Sequence, residues 1–252
     1  MGLHSCISRK QLTYLQPNEN EIDSLEMVSA LPEPYRVQVN DVLNIDLKAE
    51  DPQLVAMFTK NEGAAQSQSV SDANLYLNGY SVDLHGTIRI PVLGEINVLG
   101  YTVDEIRKKI EDKLYDEYLT SESGLFVSVK LAGVNFTVTG EVGSPGRLTV
   151  FRDRVNIVEA IAIAGNMKDV GDRANVVIVR QYPGGTKIHH IDLTDANAIS
   201  SPYYFVKPND MIIINPLPQK SIGAGTNGLQ TFTTIFSVFS VLTSTVLLIR
   251  TL

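Results

Sequence analysis

Residues 35–47 read YRVQVNDVLNIDL. Apolar residues alternate at Val37 and Val39, a turn-forming Asn40-Asp41 pair interrupts them, and Leu43, Ile45 and Leu47 resume the alternation. A period of two puts one set of side chains on one face of a strand, so the stretch predicts strand, turn, strand. The same device returns near the other end, in YYFVKPNDMIIINPL (203–217). There Asn209-Asp210 launches Met211-Ile212-Ile213-Ile214, as Asn40-Asp41 launches Val42-Leu43-Asn44-Ile45. Two such turns suggest two small α+β units.

The first unit extends outward from that stretch. GAAQSQSVSDAN (63–74) reads as a polar loop. VDLHGTIRIPVLGEINVLGYT (82–102) alternates at Ile88, Ile90 and Val92, and Gly86, Gly94 and Gly100 punctuate it as a β-meander. Thr102 and Glu105 form a capping box for a helix whose Val103, Ile106, Ile110 and Leu114 share one face. LFVSVKL (125–131) is then a strand.

The second unit begins near Val134. NFTVTGEV (135–142) alternates at Phe136, Val138 and Val142, and GSPG (143–146) turns the chain. Asn156 caps a second helix, with Glu159 three residues on, Ile157, Val158, Ile161 and Ala164 facing inward, and Gly165 ending it. ANVVIVR (174–180) is a strand, YPGG (182–185) a turn and TKIHHIDL (186–193) its hairpin partner. Before the first unit, residues 7–34 read as an extended polar leader, kept from helix by Pro32 and Pro34. After the second unit, GAGTNG (223–228) reads as a linker, since it lacks the Lys-Ser/Thr of a phosphate loop.

Composition narrows the chemistry. The 252 residues carry a formal net charge of −7 and no dense basic run, which argues against a nucleic-acid partner. The single cysteine, Cys6, excludes an internal disulfide and a thiolate metal site. His189 and His190 are neighbours in a strand and point to opposite faces, a poor basis for chelation. No metal or other cofactor is expected. Asp83, Glu95 and Glu141 stand singly at turns or strand edges. With no nucleophile elbow and no paired acids, the chain does not read as an enzyme, and no catalytic residue is assigned.

The two ends raise a different question. TFTTIFSVFSVLTSTVLLIR (231–250) has no charge before Arg250. The eighteen residues from Phe232 to Ile249 would span about 27 Å as a helix, close to a hydrocarbon core. At about 100° per residue, Thr233, Ser237, Ser240 and Ser244 share a narrow arc, while Phe232, Ile235, Phe239, Leu242, Val246 and Ile249 hold the opposite one. Three readings fit: a core helix, a plain tail anchor, or a membrane helix that packs beside copies of itself. In the third, which the resemblance given below favours, the hydroxyls meet a neighbouring helix or a watery lumen while the apolar arc meets lipid. At the other end, LHSC (3–6) is similar to a lipobox, which would make Cys6 a lipidation site.

In their order, YRVQVNDVLNIDL, the run Gly86-x-Ile88-x-Ile90-Pro91-x-x-Gly94-x-Ile96, Gly140-Glu141-Val142-x-x-Pro145-Gly146 and KPNDMIIINP (207–216) resemble the bacterial outer-membrane polysaccharide export proteins, the Wza-like group, in a short form. The resemblance implies an α+β fold. It divides the chain into a leader (1–34) with Cys6, a polysaccharide export domain (35–133), one soluble-ligand-binding β-grasp (SLBB) domain (134–217), a linker (218–230) and a single C-terminal transmembrane helix (231–252). It further implies a ring-shaped homo-oligomer, an octamer if like the family, at the outer membrane with its bulk in the periplasm. Its partners would be outer-membrane lipid, the exported polysaccharide, and an inner-membrane co-polymerase of the tyrosine-kinase type. A rival reading is a tail-anchored β-grasp binding module without a pore.

Overall fold

The protein is described by a computed structural model over residues 7–17, 34–59, 78–120, 123–182, 184–221, 233 and 236–245. Two hydrophobic cores form, one on each side of Ala132-Gly133.

In the first unit, β1 (Val42–Lys48) lies between β2 (Tyr80–Ser81) and β5 (Phe126–Leu131), antiparallel to both. A separate hairpin joins β3 (Thr87–Ile90) to β4 (Gly94–Asn97). The expected long helix is Val103–Glu117, here α3, after the short α1 (Arg9–Leu12) and α2 (Pro52–Ala56). Thr102 and Glu105 close the capping box in both directions, and Ile106, Ile110 and Leu114 are buried. They meet Leu43, Leu47, Ile88, Ile90, Ile96 and Val127 in one core. Gly86, at φ +80, is required where it stands: a Cβ there would lie 2.4 Å from that of Leu99.

The second unit is a five-stranded mixed sheet in the order β10-β9-β12-β6-β7. Its strands are β6 (Val134–Gly140), β7 (Gly146–Val150), β9 (Gly171–Tyr182), β10 (Gly185–Ile191) and β12 (Asp210–Pro216), and a small ribbon pairs β8 (Val155–Asn156) with β11 (Phe205–Val206). The central pair β12 and β6 is parallel, and every other pairing in the sheet is antiparallel. Helix α4 (Ile157–Ile163), capped by Asn156 and Glu159, contributes Ile157, Ala160 and Ile161 to the core beside Phe136, Val138, Ile178, Ile212 and Ile214. Gly140, at φ +94, sits where a Cβ would be 2.0 Å from the carbonyl oxygen of Ile214, so the parallel pairing demands glycine. A last short helix, α5 (Pro218–Ser221), is tied back by Lys220 to Glu141 at 2.6 Å.

Three expectations are corrected. Residues 35–39 form no regular strand: Val37 exchanges one pair of backbone bonds with Gly100 and Tyr101, and the Asp41 side chain then closes the chain into a turn. The alternation at Ile88 and Ile90 does not continue to Val92, which is 54% exposed at φ +63, because the chain turns after Pro91. The leader is not extended throughout. Ser8 and Gln11 cap α1, and Tyr14 and Leu15 pack on the core of the second unit, not the first. Backbone bonds from Leu15 to Leu193 and from Gln16 to Thr194 fasten that segment.

Candidate functional site

The uncharged terminal run is helical over residues 236–245, and every one of those residues is exposed. Phe236, Val238, Phe239, Val241 and Leu242 are each at least 59% accessible, so this helix presents large apolar side chains at the surface. Its hydroxyls are partly self-satisfied. Ser244 Oγ donates to the Ser240 carbonyl at 2.8 Å, Thr243 Oγ1 to Phe239 at 2.9 Å, and Thr245 Oγ1 to Val241 at 2.5 Å. A hydroxyl bonded back to its own helix costs little to place in an apolar medium. Of the expected hydroxyl arc, Thr233, Ser237, Ser240 and Ser244 are all helical and exposed. On the opposite arc Phe239 and Leu242 are exposed, while Phe232, Ile235, Val246, Ile249 and also Cys6 lie outside the described residues. Among the described residues no helix is long and apolar enough to cross a membrane.

The second feature joins the two units. Asn40 (φ +69) and Asn209 (φ +64) both occupy the left-handed region, which asparagine tolerates better than most side chains. Each is followed by a buried aspartate, Asp41 at 3% and Asp210 at 2% exposure. The turns are built alike. Asp41 Oδ2 accepts from the Gln38 N–H at 2.8 Å and Asp210 Oδ2 from the Lys207 N–H at 2.8 Å, while each aspartate N–H returns to the carbonyl of that same residue. They also meet, for Asn209 Nδ2 donates to Asp41 Oδ1 at 3.3 Å across 168 positions of sequence.

Their remaining partners differ. Arg180 grips Asp210 through Nε at 2.9 Å and Nη2 at 2.7 Å, and donates from Nη2 to the Phe205 carbonyl. Asp41 instead accepts from the Tyr35 phenol at 2.7 Å. Burial pushes the Asp41 carboxyl up to about 6, against which the Gln38 N–H and the Tyr35 hydroxyl pull it down. Burial and the adjoining Asp41 charge drive the Tyr35 phenol far above its ordinary value.

The other polar residues singled out from sequence are structural. Asp83 accepts from the His85 and Thr87 N–H groups and from the Thr87 hydroxyl, and these bonds, that of the Thr87 N–H foremost, hold its carboxyl below the ordinary range. Glu95 faces Arg89 across the β3–β4 hairpin. His189 stacks on Tyr203 with ring centres 4.1 Å apart and bonds the Tyr182 hydroxyl, while His190 turns to Asn175. Tyr203 and Tyr204 both pack on the second core. Among the described residues no cluster of His, Cys, Asp or Glu could hold a metal. The Asp41–Asn209 contact was not foreseen, although the repeated Asn-Asp dipeptide marked both of its ends.

Residues 29–132 match the family model described as polysaccharide biosynthesis/export protein. The chain is 29% identical over 171 residues to the EPS I polysaccharide export outer membrane protein EpsA of Ralstonia solanacearum, covering 65% of this chain and 43% of that protein. It is 28% identical over 153 residues to the protein of the same name from Ralstonia nicotianae, covering 58% and 39%. The chain thus spans about two fifths of the length of the curated relatives it matches.

Proposed function

We propose that this chain, a member of the polysaccharide export family through residues 29–132, is a non-enzymatic component of an outer-membrane conduit for polysaccharide. The first unit would be the export domain and the second a β-grasp domain, periplasmic in bulk. The observation that carries the reading is the uncovered apolar helix at 236–245. Bare Phe, Val and Leu side chains at this density require lipid or further protein around them. Helices from several copies, set side by side, would turn the Thr233, Ser237, Ser240 and Ser244 arc inward and the Phe239 and Leu242 arc toward lipid. Neutral hydroxyls exchange hydrogen bonds with sugar or water without trapping a charged polymer. The names of the relatives support the cargo and the membrane. Ring assembly, acylation of Cys6 and an inner-membrane co-polymerase partner belong to the same proposal.

Electron microscopy of the detergent-extracted protein tests the architecture, with a ring enclosing a chamber as the expected result. A monomer would favour a tail-anchored binding module instead. Single cysteines at positions 237, 239, 240 and 242, introduced with Cys6 replaced, test the orientation. In membranes, an aqueous thiol reagent should label S237C and S240C and spare F239C and L242C; the reverse pattern sinks the lumen assignment.

A further inference from the structure

We infer that the open face of the second unit's sheet is a contact surface for a second copy of this chain. The strands themselves argue for cover on both sides. A sheet with one face in water alternates apolar and polar residues, whereas one buried on both faces carries continuous apolar runs. β9 carries Val176-Val177-Ile178-Val179 and β12 carries Met211-Ile212-Ile213-Ile214. Val176, Ile178, Ile212 and Ile214 fill the core beside α4. Val177, Val179, Met211 and Ile213 point the other way, because successive strand residues alternate in direction. Register aligns them with the neighbouring strands. Ile188 pairs with Val179, Val179 with Met211, Met211 with Thr137 and Thr137 with Arg147, one row across the whole sheet. His190, Val177, Ile213 and Thr139 make the next. Directly paired side chains stand about 5 Å apart, so the two rows form one patch. At its surface Ile188 is 63% and Met211 41% exposed.

Charge identifies the occupant. Those two rows hold no carboxylate, in a chain with 28 acidic residues and a formal net charge of −7. Copies of such a chain repel one another, and carboxylates pressed against a like-charged surface are unfavourable. Two copies therefore approach most easily where the acids are absent. An apolar centre without acids, with Met211 inside it and Arg147 at its margin, also has the composition of a protein–protein contact. A polysaccharide fits the patch less well, since Val177, Val179, Met211 and Ile213 offer it hydrocarbon and one thioether. In a cyclic assembly each copy presents two different surfaces, and this face supplies one of them. The inference rests on the assembly proposed above and names a surface that builds it.

The test uses the full-length protein in mild detergent, with assembly read by native mass spectrometry over a dilution series. Ile188→Glu combined with Met211→Glu sets two carboxylates on the face and leaves the core alone, since both side chains are exposed. The double variant should fall apart at protein concentrations at least about tenfold higher than the wild type does. Leu84→Glu, at an 83% exposed site in the first unit, should assemble like the wild type. A second measurement serves even if the double variant folds poorly. With Cys6 replaced by serine, I188C should react with a bulky aqueous thiol reagent at least about tenfold more slowly than L84C in the assembled protein. A double variant that assembles as tightly as the wild type, or I188C labelling as fast as L84C, overturns this contact while a ring that still forms keeps the proposed architecture. A monomeric wild type overturns the contact and the ring together.

Discussion

At Asp210 a guanidinium answers the buried carboxylate through two nitrogens, whereas at Asp41 a phenol and two amides do so. The backbones of the two turns are near copies, from the left-handed asparagine to the aspartate that closes on the residue three before it. Turn geometry therefore does not determine whether a buried charge is neutralised. What matters is which element passes nearby. In the second unit β9 carries Arg180 beside β12, so the acid and base meet inside one sheet. In the first unit the neighbour is a loop carrying Tyr35, and among the described residues the hydrogen bonds to the acid come from that phenol, the Gln38 N–H and the Asn209 amide. One turn is closed by an ion pair within its own sheet and the other by a phenol and two amides.

The contrast can be broken most severely at Arg180. Arg180→Met strands the Asp210 carboxylate in a site 2% exposed and should cost the second unit about 3–5 kcal/mol, read as an earlier urea transition. A loss below about 1 kcal/mol would mean that the pair is not the clamp described. Next comes the pH dependence at Asp41. Its folded titration point lies above the unfolded one, so its contribution is greatest below pH 3.8 and is lost as pH rises through about 6. The wild type should lose about 3 kcal/mol over that interval relative to Asp41→Asn, measured as the difference between their stability–pH curves.

Smaller substitutions sharpen the comparison. Tyr35→Phe removes one neutral donor from Asp41 and should destabilise the first unit by about 1–2 kcal/mol at pH 7, with the second-unit transition unchanged. Asn209→Gly preserves the left-handed backbone and deletes the cross-unit bond, for an expected loss of about 0.5–1.5 kcal/mol. Asn40→Gly should fall within a few tenths of wild type, since the Asn40 side chain donates no such bond to the facing turn and glycine accepts the same φ. Equal effects at the two asparagines would remove the asymmetry.

Much of the secondary structure was legible from short range. The capping boxes at Thr102 and Asn156 and the buried stripe of Ile106, Ile110 and Leu114 follow from spacings of three and four residues. Alternation was less dependable. Val37 and Val39 alternate like a strand, yet only Val37 finds backbone partners there, and the Ile88-Ile90-Val92 series ends at Pro91. Pattern reports which faces are apolar, but a strand also needs a neighbour along its whole length. The leader's fold is hidden from its sequence for a related reason, since nothing near Tyr14 and Leu15 reveals that they dock on a core assembled from residues beyond 133.

The sequence by itself determined the local features: helix caps, the glycine positions, the uncharged terminal run and the order of motifs that resembles the export family. Each depends on residues a few places apart, so the information is contained in the stretch that uses it. Only the tertiary structure decided what became of the two aspartates. Arg180 reaches Asp210 across 30 positions and Asn209 reaches Asp41 across 168. Burial and charge pairing depend on distances in space, and only the folded chain brings such residues together.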